Sequence, residues 1–460
     1  MADPSIPVAV EQLLGRGPAS ARQLAQALGL SQPSLSRVLR QLESQQRVVR
    51  IGSTRGAQYA VRRLVGDVGS SWPLYRIDAA GAAHEVGQLN AIERDSYFAR
   101  SASPRLRGLF DGLPYYLQDA RPGGFLGRAV PAAYPELRLP ARVVDWTDAH
   151  VLTYLVRRGS ENPGDLILGT EALDRYLAGT HGPPLVAAAD RMHAYPALAD
   201  AAMAGAPPGS SAHGEHPKFI VCIAEDDSRT HMLVKFSPPR TTAVGQRWAD
   251  LLIAEHEAHR VLEEHGVHAC VSRLIENGAR LFLECERFDR VGLAGRRGVV
   301  SLFALDVSLY GRLDNWTASS QRLLQDSLLS PEDAARIRLL DTFGNLIANT
   351  DRHFGNITLF DTYEGPLELA PAYDMLPMLF APQNDQIIER AFAPAPPTAA
   401  SLPVWSEARA LAETYWARLA QHERLSASFR ELCARCLQVV QALPRQAARV
   451  DARKLVDRDR

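Results

Sequence analysis

The segment NTDRHFGNITLF, residues 349–360, places an Asp, an Arg, a His and an Asn in one short turn and continues as an alternating apolar strand. A simple turn is one explanation, because Asn and Asp side chains bond their own backbone and the glycine permits a left-handed conformation. The following residues favour a chemical role. ITLF, the turn DTYEGP and LELA predict a hairpin that leads to AYDMLP. Asp374 is therefore expected to lie close to Asp351 and Asn356.

Two carboxylates and one amide oxygen form an oxygen-rich set that suits Mg²⁺, a hard cation that also takes phosphate oxygens as ligands. The spacing Asp-x4-Asn, followed by a hairpin and another Asp, is the order that protein kinases use for a base, a metal-binding Asn and a metal-binding Asp. The sequence therefore predicts a phosphoryl-transfer site at Asp351, Asn356 and Asp374.

The length of 460 residues and the 46% apolar content predict two or three globular domains. The chain lacks an apolar run of about 18 residues and a basic segment leading into an apolar one near its start, so a cytoplasmic protein without a membrane span is expected. Of five cysteines, only Cys433 and Cys436 are close together. Without a second pair they do not form a zinc motif, and reduced core thiols are expected.

Charge is distributed unevenly along the chain. Residues 1–65 carry a net charge of +6, whereas the whole chain carries −1. A basic head suggests a polyanionic partner. Only three of the 51 basic residues are lysines, at 218, 235 and 454. The Arg-rich composition is consistent with nucleotide bias in the gene, which would replace surface Lys by Arg at little cost. A position that remains Lys therefore indicates a need for a compact point charge.

The basic head has the pattern of a winged helix-turn-helix. Three helical stretches, VAVEQLLG, SARQLAQALG and SQPSLSRVLRQLESQQ, precede the hairpin pattern VVRIGSTRGAQYAV. A winged helix that docks on protein is the alternative, but the basic charge favours DNA binding. The third helix would then lie in the major groove. The predicted DNA-binding residues on that helix and the wing are Ser34, Ser36, Arg37, Arg40, Arg50 and Arg55.

Beyond residue 66 the pattern is mixed α and β, with strands such as WPLYRID, FIVCIAE, MLVKFS and LFLECERF. The Pro- and Gly-rich residues 194–217 predict a mobile loop. Residues 393–403 predict a second irregular stretch before helices that run to about residue 450. The expected domains are a winged helix (1–65), an N-lobe that includes a Gly-rich loop near 205–218 (66–290) and a mainly helical C-lobe (291–460).

Lys235 lies in the alternating strand pattern HMLVKFSPP, where a buried lysine requires negative charge such as ATP phosphates. In the following helix, Glu255 is the candidate ion-pair partner that kinases require, and Glu257 is a weaker one. A solvated helix face is the alternative for both. The segment ERFDR falls where a kinase chain crosses between lobes, which predicts Glu286 and Phe288 beside adenine.

These motifs together resemble the HipA-like serine/threonine kinases of bacterial toxin–antitoxin systems. The resemblance covers about residues 70–380, and the basic head resembles the branch that carries its own winged helix. It implies an α+β, protein-kinase-like, two-lobed fold with an N-terminal winged helix-turn-helix domain. The matching motifs are FDGLPYYLQDARPGGFLGR (110–128), GDLILG (164–169), SSAHGEHPKF (210–219), LVKF (233–236), ERFDR (286–290), NTDRHFGN (349–356) and AYDMLP (372–377).

The resemblance implies a role for each matched residue of the cleft. Asp351 would be the catalytic base, Asn356 and Asp374 the Mg²⁺ ligands, and Lys235 the phosphate-binding lysine.

The resemblance also implies an autophosphorylated serine in a Gly-rich loop. Ser211 matches that serine, and the adjacent Ser210 is the alternative acceptor. Gly214 and Lys218 match the same motif and would help to bind the nucleotide. His216 stands where the family usually has Gln, which places the behaviour of this loop in question.

The expected protein is an ATP- and Mg²⁺-dependent serine/threonine kinase, toxin-like, whose head binds DNA at its own promoter. The resemblance implies a translation component as substrate, such as an aminoacyl-tRNA synthetase, and is compatible with a separate antitoxin and with a homodimer. The sequence leaves two alternatives open. One is a transcription regulator whose kinase-like body senses a nucleotide, and the other is a small-molecule phosphotransferase.

Overall fold

The computed structural model describes residues 5–53, 56–179, 182–205 and 216–444. Four residues with predicted roles lie outside these ranges: Arg55, Ser210, Ser211 and Gly214. None of the helices in the described ranges has the length and apolar character needed to cross a membrane.

Residues 5–61 form three helices and a small sheet. Ser20 caps the second helix in a capping box with Gln23, and Ser31 caps the third helix. The apolar residues of the third helix are buried in one cluster with residues of the first and second helices. This is the arrangement of a winged helix-turn-helix domain. The elements are α1 (Ser5–Leu14), β1 (Ala19–Ser20), α2 (Ala21–Leu28), α3 (Gln32–Ser44), β2 (Val48–Ile51) and β3 (Gln58–Val61).

The wing also packs on the next sheet of the chain. Val49 and Ala60 form a buried apolar cluster with Ile92 and Phe98. An antiparallel β-bridge joins Arg62 to Ile92. The head is therefore held to the body by packing and backbone bonds as well as by the chain itself.

The middle part of the chain is a five-stranded antiparallel sheet in the order β7-β6-β5-β4-β8, with five helices. Its elements are β4 (Ser71–Ile77), β5 (Ala83–Ile92), β6 (Ser96–Ser101), β7 (Gly108–Asp111), α4 (Tyr115–Gln118), α5 (Gly124–Gly127), α6 (Val130–Ala133), α7 (Asp148–Arg158), β8 (Leu166–Leu168) and α8 (Thr170–Ala178).

A second five-stranded sheet, in the order β12-β13-β11-β10-β9, carries Lys235. In the antiparallel pair of β10 and β11, Lys218 lies directly opposite Lys235. The elements of this upper lobe are β9 (Leu185–Ala187), α9 (Arg191–Met203), β10 (Lys218–Glu225), β11 (Ser228–Phe236), α10 (Ala243–Glu264), β12 (Ser272–Asn277), β13 (Arg280–Glu286), β14 (Arg290–Val291) and β15 (Gly295–Arg296).

A glycine allows α10 to start close to the turn that follows β11. A Cβ at Gly245 would lie 2.0 Å from the carbonyl oxygen of Pro239, so a larger residue would push the helix away. This close approach returns α10, with Glu255, toward the strand that carries Lys235.

The prediction of a loop over residues 194–217 is wrong for its first part, because residues 191–203 form the helix α9. Tyr195 and Ala199 are fully buried against the upper sheet, and this packing outweighs the weak helical pattern. Pro196 lacks an N–H group and cannot bond the carbonyl of Met192 within the helix. The side-chain amide of Asn277 donates to that carbonyl instead.

The remaining described residues form a mainly helical lobe, so the chain has the predicted α+β, two-lobed, kinase-like fold. The predicted hairpin is present, with Leu359 paired to Leu369. The proposed domain limits at residues 65 and 290 stay predictions. The elements are β16 (Val299–Ser301), α11 (Leu302–Leu309), α12 (Trp316–Gln325), α13 (Pro331–Leu346), β17 (Thr358–Phe360), β18 (Glu368–Leu369), α14 (Trp405–Gln421) and α15 (Ala427–Ala442).

Candidate active site

The centre of the site is a buried ammonium group between two carboxylates. The Nζ atom of Lys235 lies 2.6 Å from Oε1 of Glu255 and also bonds Oδ1 of Asp374. These groups come from β11, α10 and the segment after β18, so one cation ties three elements together. Glu257 instead bonds Arg260, at 3.0 Å, and does not line the cleft that contains Lys235.

Burial and neighbouring charges shift the pKa values of Lys235 and Asp374 in opposite directions. Burial would lower the pKa of Lys235, but Asp374 and Glu255 raise it above its ordinary value. Burial would raise the pKa of Asp374, yet the charges of Lys235 and Lys218 hold it well below its usual range. Burial raises the pKa of Glu255 and the charge of Asp374 acts in the same direction, whereas Lys235 opposes both. Lys235 and Asp374 are therefore charged at neutral pH.

Hydrogen bonds hold the turn at residues 349–356 against Asp374. The backbone N–H of Asp351 donates to Oδ1 of Asn349 at 3.0 Å, and Nδ2 of Asn349 donates to the carbonyl of Asp374 at 3.2 Å. Nδ2 of Asn356 donates to the carbonyl of Asp351 at 2.9 Å. This bond uses the nitrogen of Asn356 and leaves its side-chain oxygen for other partners.

A tyrosine fixes the residue that carries the second carboxylate. The Tyr373 hydroxyl donates to the carbonyl of Gly355 at 2.6 Å and lies 2.7 Å from Oγ1 of Thr358. Asp374, which follows it, has a left-handed backbone with φ of 54°. A non-glycine residue in this conformation is uncommon and often marks a functional position.

Seven of the nine residues predicted for catalysis and for nucleotide or metal binding lie around one cleft. Lys218, Lys235, Glu255, Glu286, Phe288, Asn356 and Asp374 all line it. Asp351 lines an adjoining depression with Trp316 and Arg352, and His353 lines both. Burial raises the pKa of Asp351, and the nearby Asp374 acts in the same direction. The two carboxylates therefore face different parts of the site.

The side chains of the cleft suit Mg²⁺ that is shared with a nucleotide better than they suit a metal ion held only by protein ligands. In the part of the chain that the structure describes, no group of three or more His, Cys, Asp or Glu residues forms a metal site. Asp374 and the side-chain oxygen of Asn356 are hard oxygen ligands. Mg²⁺ is commonly held by one or two such groups, with nucleotide phosphates and water as its other ligands.

His216 is an uncharged group beside the two lysines. Its ring lies 4.7 Å from that of Trp248, measured between centroids. Burial, reinforced by the charges of Lys235 and Lys218, lowers the pKa of His216 to about 3. The imidazole is therefore neutral at physiological pH, as a glutamine at this position would be.

Two polar contacts of the cleft were not assigned from the sequence. Asp119 accepts hydrogen bonds from the Ser301 backbone at 2.6 Å and hydroxyl at 2.5 Å. Asp289 bonds both Arg287 and Arg290 at 2.7 Å. The ERFDR motif contains Arg287 and Asp289, so its charge pattern was a usable signal. Asp119 lies within the matched segment 110–128, but no pattern there distinguished it.

In the head, Ser36, Arg37 and Arg40 are exposed on α3, and Ser34 is partly exposed beside Ser31. Arg50 lies on β2, where its guanidinium donates to the carbonyl of Ser53 at 3.3 Å. The residues predicted on α3 therefore share an accessible face.

The chain is similar to known proteins over nearly its whole length. Residues 68–177 match the YjjJ-like toxin middle domain, and residues 210–447 match the HipA-like C-terminal domain. The toxin YjjJ of Escherichia coli (strain K12) is 34% identical over 445 residues, which cover 95% of this chain and 98% of that protein.

A solved structure shows the same fold at low identity. A chain of the Shewanella oneidensis MR-1 complex of HipA, HipB and operator DNA aligns with a TM-score of 0.51 and 16% identity, over 81% of this chain and 96% of that chain. The Helicobacter pylori kinase CtkA aligns with a TM-score of 0.35 and 12% identity, over 50% of this chain and 88% of that chain.

The ion pair of Lys235 predicts a pH-dependent effect of Asp374→Asn. Because the pKa of Asp374 is lowered in the folded state, its stabilisation is complete above the unfolded value of about 3.9 and is lost as the pH falls through the folded value. The variant should lower the free energy of unfolding by about 1–3 kcal/mol at pH 7, and by less as the pH approaches 3. Urea denaturation at several pH values measures this difference.

Asp174→Asn is the control, since Asp174 is exposed on α8. It should change the free energy of unfolding little at any pH. A difference between wild type and Asp374→Asn that stays constant with pH would contradict the ion pair.

Proposed function

The chain belongs to the HipA-like toxin family, and we propose that it is a kinase that transfers the γ-phosphate of ATP to a serine or threonine hydroxyl of a protein. The observation that carries this proposal is the ion-paired Lys235 beside the hydrogen-bonded turn of Asp351 and Asn356. Kinases need these groups in this order along the chain.

Each group has a role that follows from its chemistry. Lys235 supplies a positive charge to the phosphates, and Glu255 holds the lysine in position. Asp374 and the side-chain oxygen of Asn356 bind Mg²⁺, which neutralises phosphate charge when bound. Asp351 orients the substrate hydroxyl and accepts its proton, and the raised pKa caused by burial makes this carboxylate a better base.

The nucleotide base fits the part of the cleft that joins the lobes. Phe288 lies there, with its ring 5.8 Å from that of Tyr373, and Glu286 precedes it at the end of β13. The aromatic face and the adjacent backbone suit adenine. Lys218, opposite Lys235 across the strand pair, adds a second positive charge near the phosphates.

We also propose that the head binds DNA, at the promoter of its own gene. The support is its net charge of +6 and the exposed Arg37 and Arg40 on α3. The Shewanella HipA structure is a complex with HipB and operator DNA. By analogy this chain acts in a toxin–antitoxin system, with its own head as the DNA-binding part.

Asp351→Asn tests the proposed catalysis. The variant keeps the size of the side chain but removes the base, so phosphoryl transfer should fall by about 100-fold or more, whereas ATP binding should persist. Asp374→Asn should instead weaken Mg²⁺-ATP binding. The measurement is transfer of label from γ-labelled ATP, with Mg²⁺, to proteins of a cell lysate, and Asp174→Asn is the control.

The same labelling experiment separates the alternatives. Label on a lysate protein that depends on Asp351 supports a protein kinase. Label on a metabolite would indicate a small-molecule phosphotransferase. A protein that binds ATP without any transfer would be a nucleotide-sensing regulator, and near wild-type transfer by Asp351→Asn would exclude the proposed site.

Autophosphorylation at Ser211 is a separate proposal, and Ser210 is the alternative acceptor. A phosphate adds a charge of about −1.5 to −2, which is poorly compatible with ATP phosphates and the carboxylates of Asp351 and Asp374. Kinase activity should therefore fall after modification. Mass spectrometry of protein incubated with Mg²⁺-ATP should find a phosphopeptide spanning residues 209–218 in wild type but not in Asp351→Asn. Its absence from an active enzyme would refute the proposal.

DNA binding is tested with the double variant Arg37→Ala, Arg40→Ala. Promoter affinity should fall by about 10-fold or more, and its salt dependence should become weaker, because two base or phosphate contacts are lost. Kinase activity should not change. Exposed Arg142 and Arg312 are the matched controls, since their replacement removes the same charge from the body. Equal affinities of the two double variants would refute the assignment of α3.

A further inference from the structure

A second cavity, of about 450 Å³, lies between the middle part of the chain and the upper lobe. It shares no lining residue with the nucleotide cleft within the described residues. Three arginines line it: Arg175 on α8, Arg290 on β14 and Arg296 on β15. Glu161 is the carboxylate among its described lining residues. Ligand pockets in proteins commonly have volumes of about 300–1,000 Å³.

Arg296 is held rigidly but keeps unused donors. Its Nη2 atom donates to the Ser160 carbonyl and lies 3.3 Å from Oε1 of Glu161. Its guanidinium carbon lies 4.8 Å from the centroid of the Tyr176 ring. Although Arg296 is 97% buried, with a relative exposure of 3%, its Nη1 atom has no hydrogen-bond partner among the described residues. A buried donor without an acceptor is costly unless a ligand or water satisfies it.

The lining of the cavity also contains an unused acceptor. Nε2 of His231 lies 3.1 Å from the carbonyl oxygen of Leu293, so this nitrogen carries the proton and donates it. Nδ1 is then an acceptor, and it too is buried without a partner among the described residues. Burial lowers the pKa of His231 to about 4, which keeps the ring neutral. A ligand that satisfies both His231 and Arg296 must combine an anionic oxygen with an O–H group.

Positive charge is in excess around this cavity. Glu161 lies 3.3 Å from Arg296 and 4.0 Å from Arg290. Behind Arg290, Asp289 is shared between Arg290 and Arg287. The described lining of the cavity therefore contains three arginines and one carboxylate, Glu161. The pKa of Arg290 is lowered to about 9, by burial first and then by the charge of Arg287.

We propose that this cavity is a binding site for a small phosphate ester or phosphate ion that carries an O–H group. Arg296 Nη1 donates to the anionic oxygens, Arg175 adds charge from α8, and Nδ1 of His231 accepts the O–H hydrogen. The site adjoins Asp289, which lines the nucleotide cleft from the other side. It is independent of the proposed kinase activity, because none of its groups takes part in phosphoryl transfer.

Isothermal titration calorimetry of the full-length protein with inorganic phosphate, at constant ionic strength, tests the site. Sulfate is the matched anion, because it has no O–H group at neutral pH. Phosphate should bind, and sulfate should bind at least about five times more weakly because it cannot donate to His231. Arg296→Gln and the partly exposed Arg175→Gln should each lower phosphate affinity by about tenfold or more.

Two further variants locate the bound anion. Arg142→Gln removes the same charge from an exposed position, and Lys218→Gln removes a positive charge from the nucleotide cleft. Neither should change phosphate affinity. The proposal is overturned by the absence of phosphate binding at millimolar concentrations, by equal affinities of Arg175→Gln and wild type, or by loss of binding in Lys218→Gln. Equal binding of sulfate and phosphate would overturn the role of His231. Arg175→Gln keeps the test valid if Arg296→Gln does not fold.

Discussion

A single buried ammonium group determines how the two lobes meet. Lys235 has a side-chain exposure of 8%, and desolvation of its charge is tolerated only because Glu255 and Asp374 surround it. To reach it, α10 must return close to β11, which requires a glycine at position 245, and the chain after β18 must take a left-handed turn at Asp374. The placement of Asn349, Tyr373 and the turn at residues 349–356 follows from that position of Asp374. The need to neutralise the charge of Lys235 thus determines the backbone conformation at positions in both lobes.

The centre of the site was predictable because its residues follow local rules. A dense polar turn before a hairpin brings Asp351, Asn356 and Asp374 together over a short length of chain. In a sequence with only three lysines, Lys218 and Lys235 proved to be direct neighbours across two strands. The sequence ranked Glu255 above Glu257 as the partner of Lys235, and the structure pairs Lys235 with Glu255. Helix periodicity alone could not have fixed that choice. That choice depends on how α10 is rotated against the sheet, which is a tertiary property.

Other parts were not predictable because their partners are distant in sequence. The bond between Asp119 and Ser301 spans 182 residues, and the bond between Tyr363 and Asp165 spans 198. Such pairs leave no periodic signal. Helix α9 was missed for a related reason, since Pro196 and many small residues indicate a loop. Only the sheet beneath Tyr195 and the amide of Asn277 make a helix favourable there.

The packing of the wing on the middle sheet has a consequence for geometry. Val49 and Ala60 lie on one face of the wing, and Ile92 and Phe98 cover that face. Reorienting the head would expose this apolar cluster to water. The head is therefore held in a fixed orientation on the body and does not move as an independent domain on a flexible linker. In a molecule whose α3 lies in a groove of DNA, the direction of the cleft relative to the duplex axis would be set in advance. Two copies on neighbouring sites would then face each other at an angle dictated by the spacing of those sites.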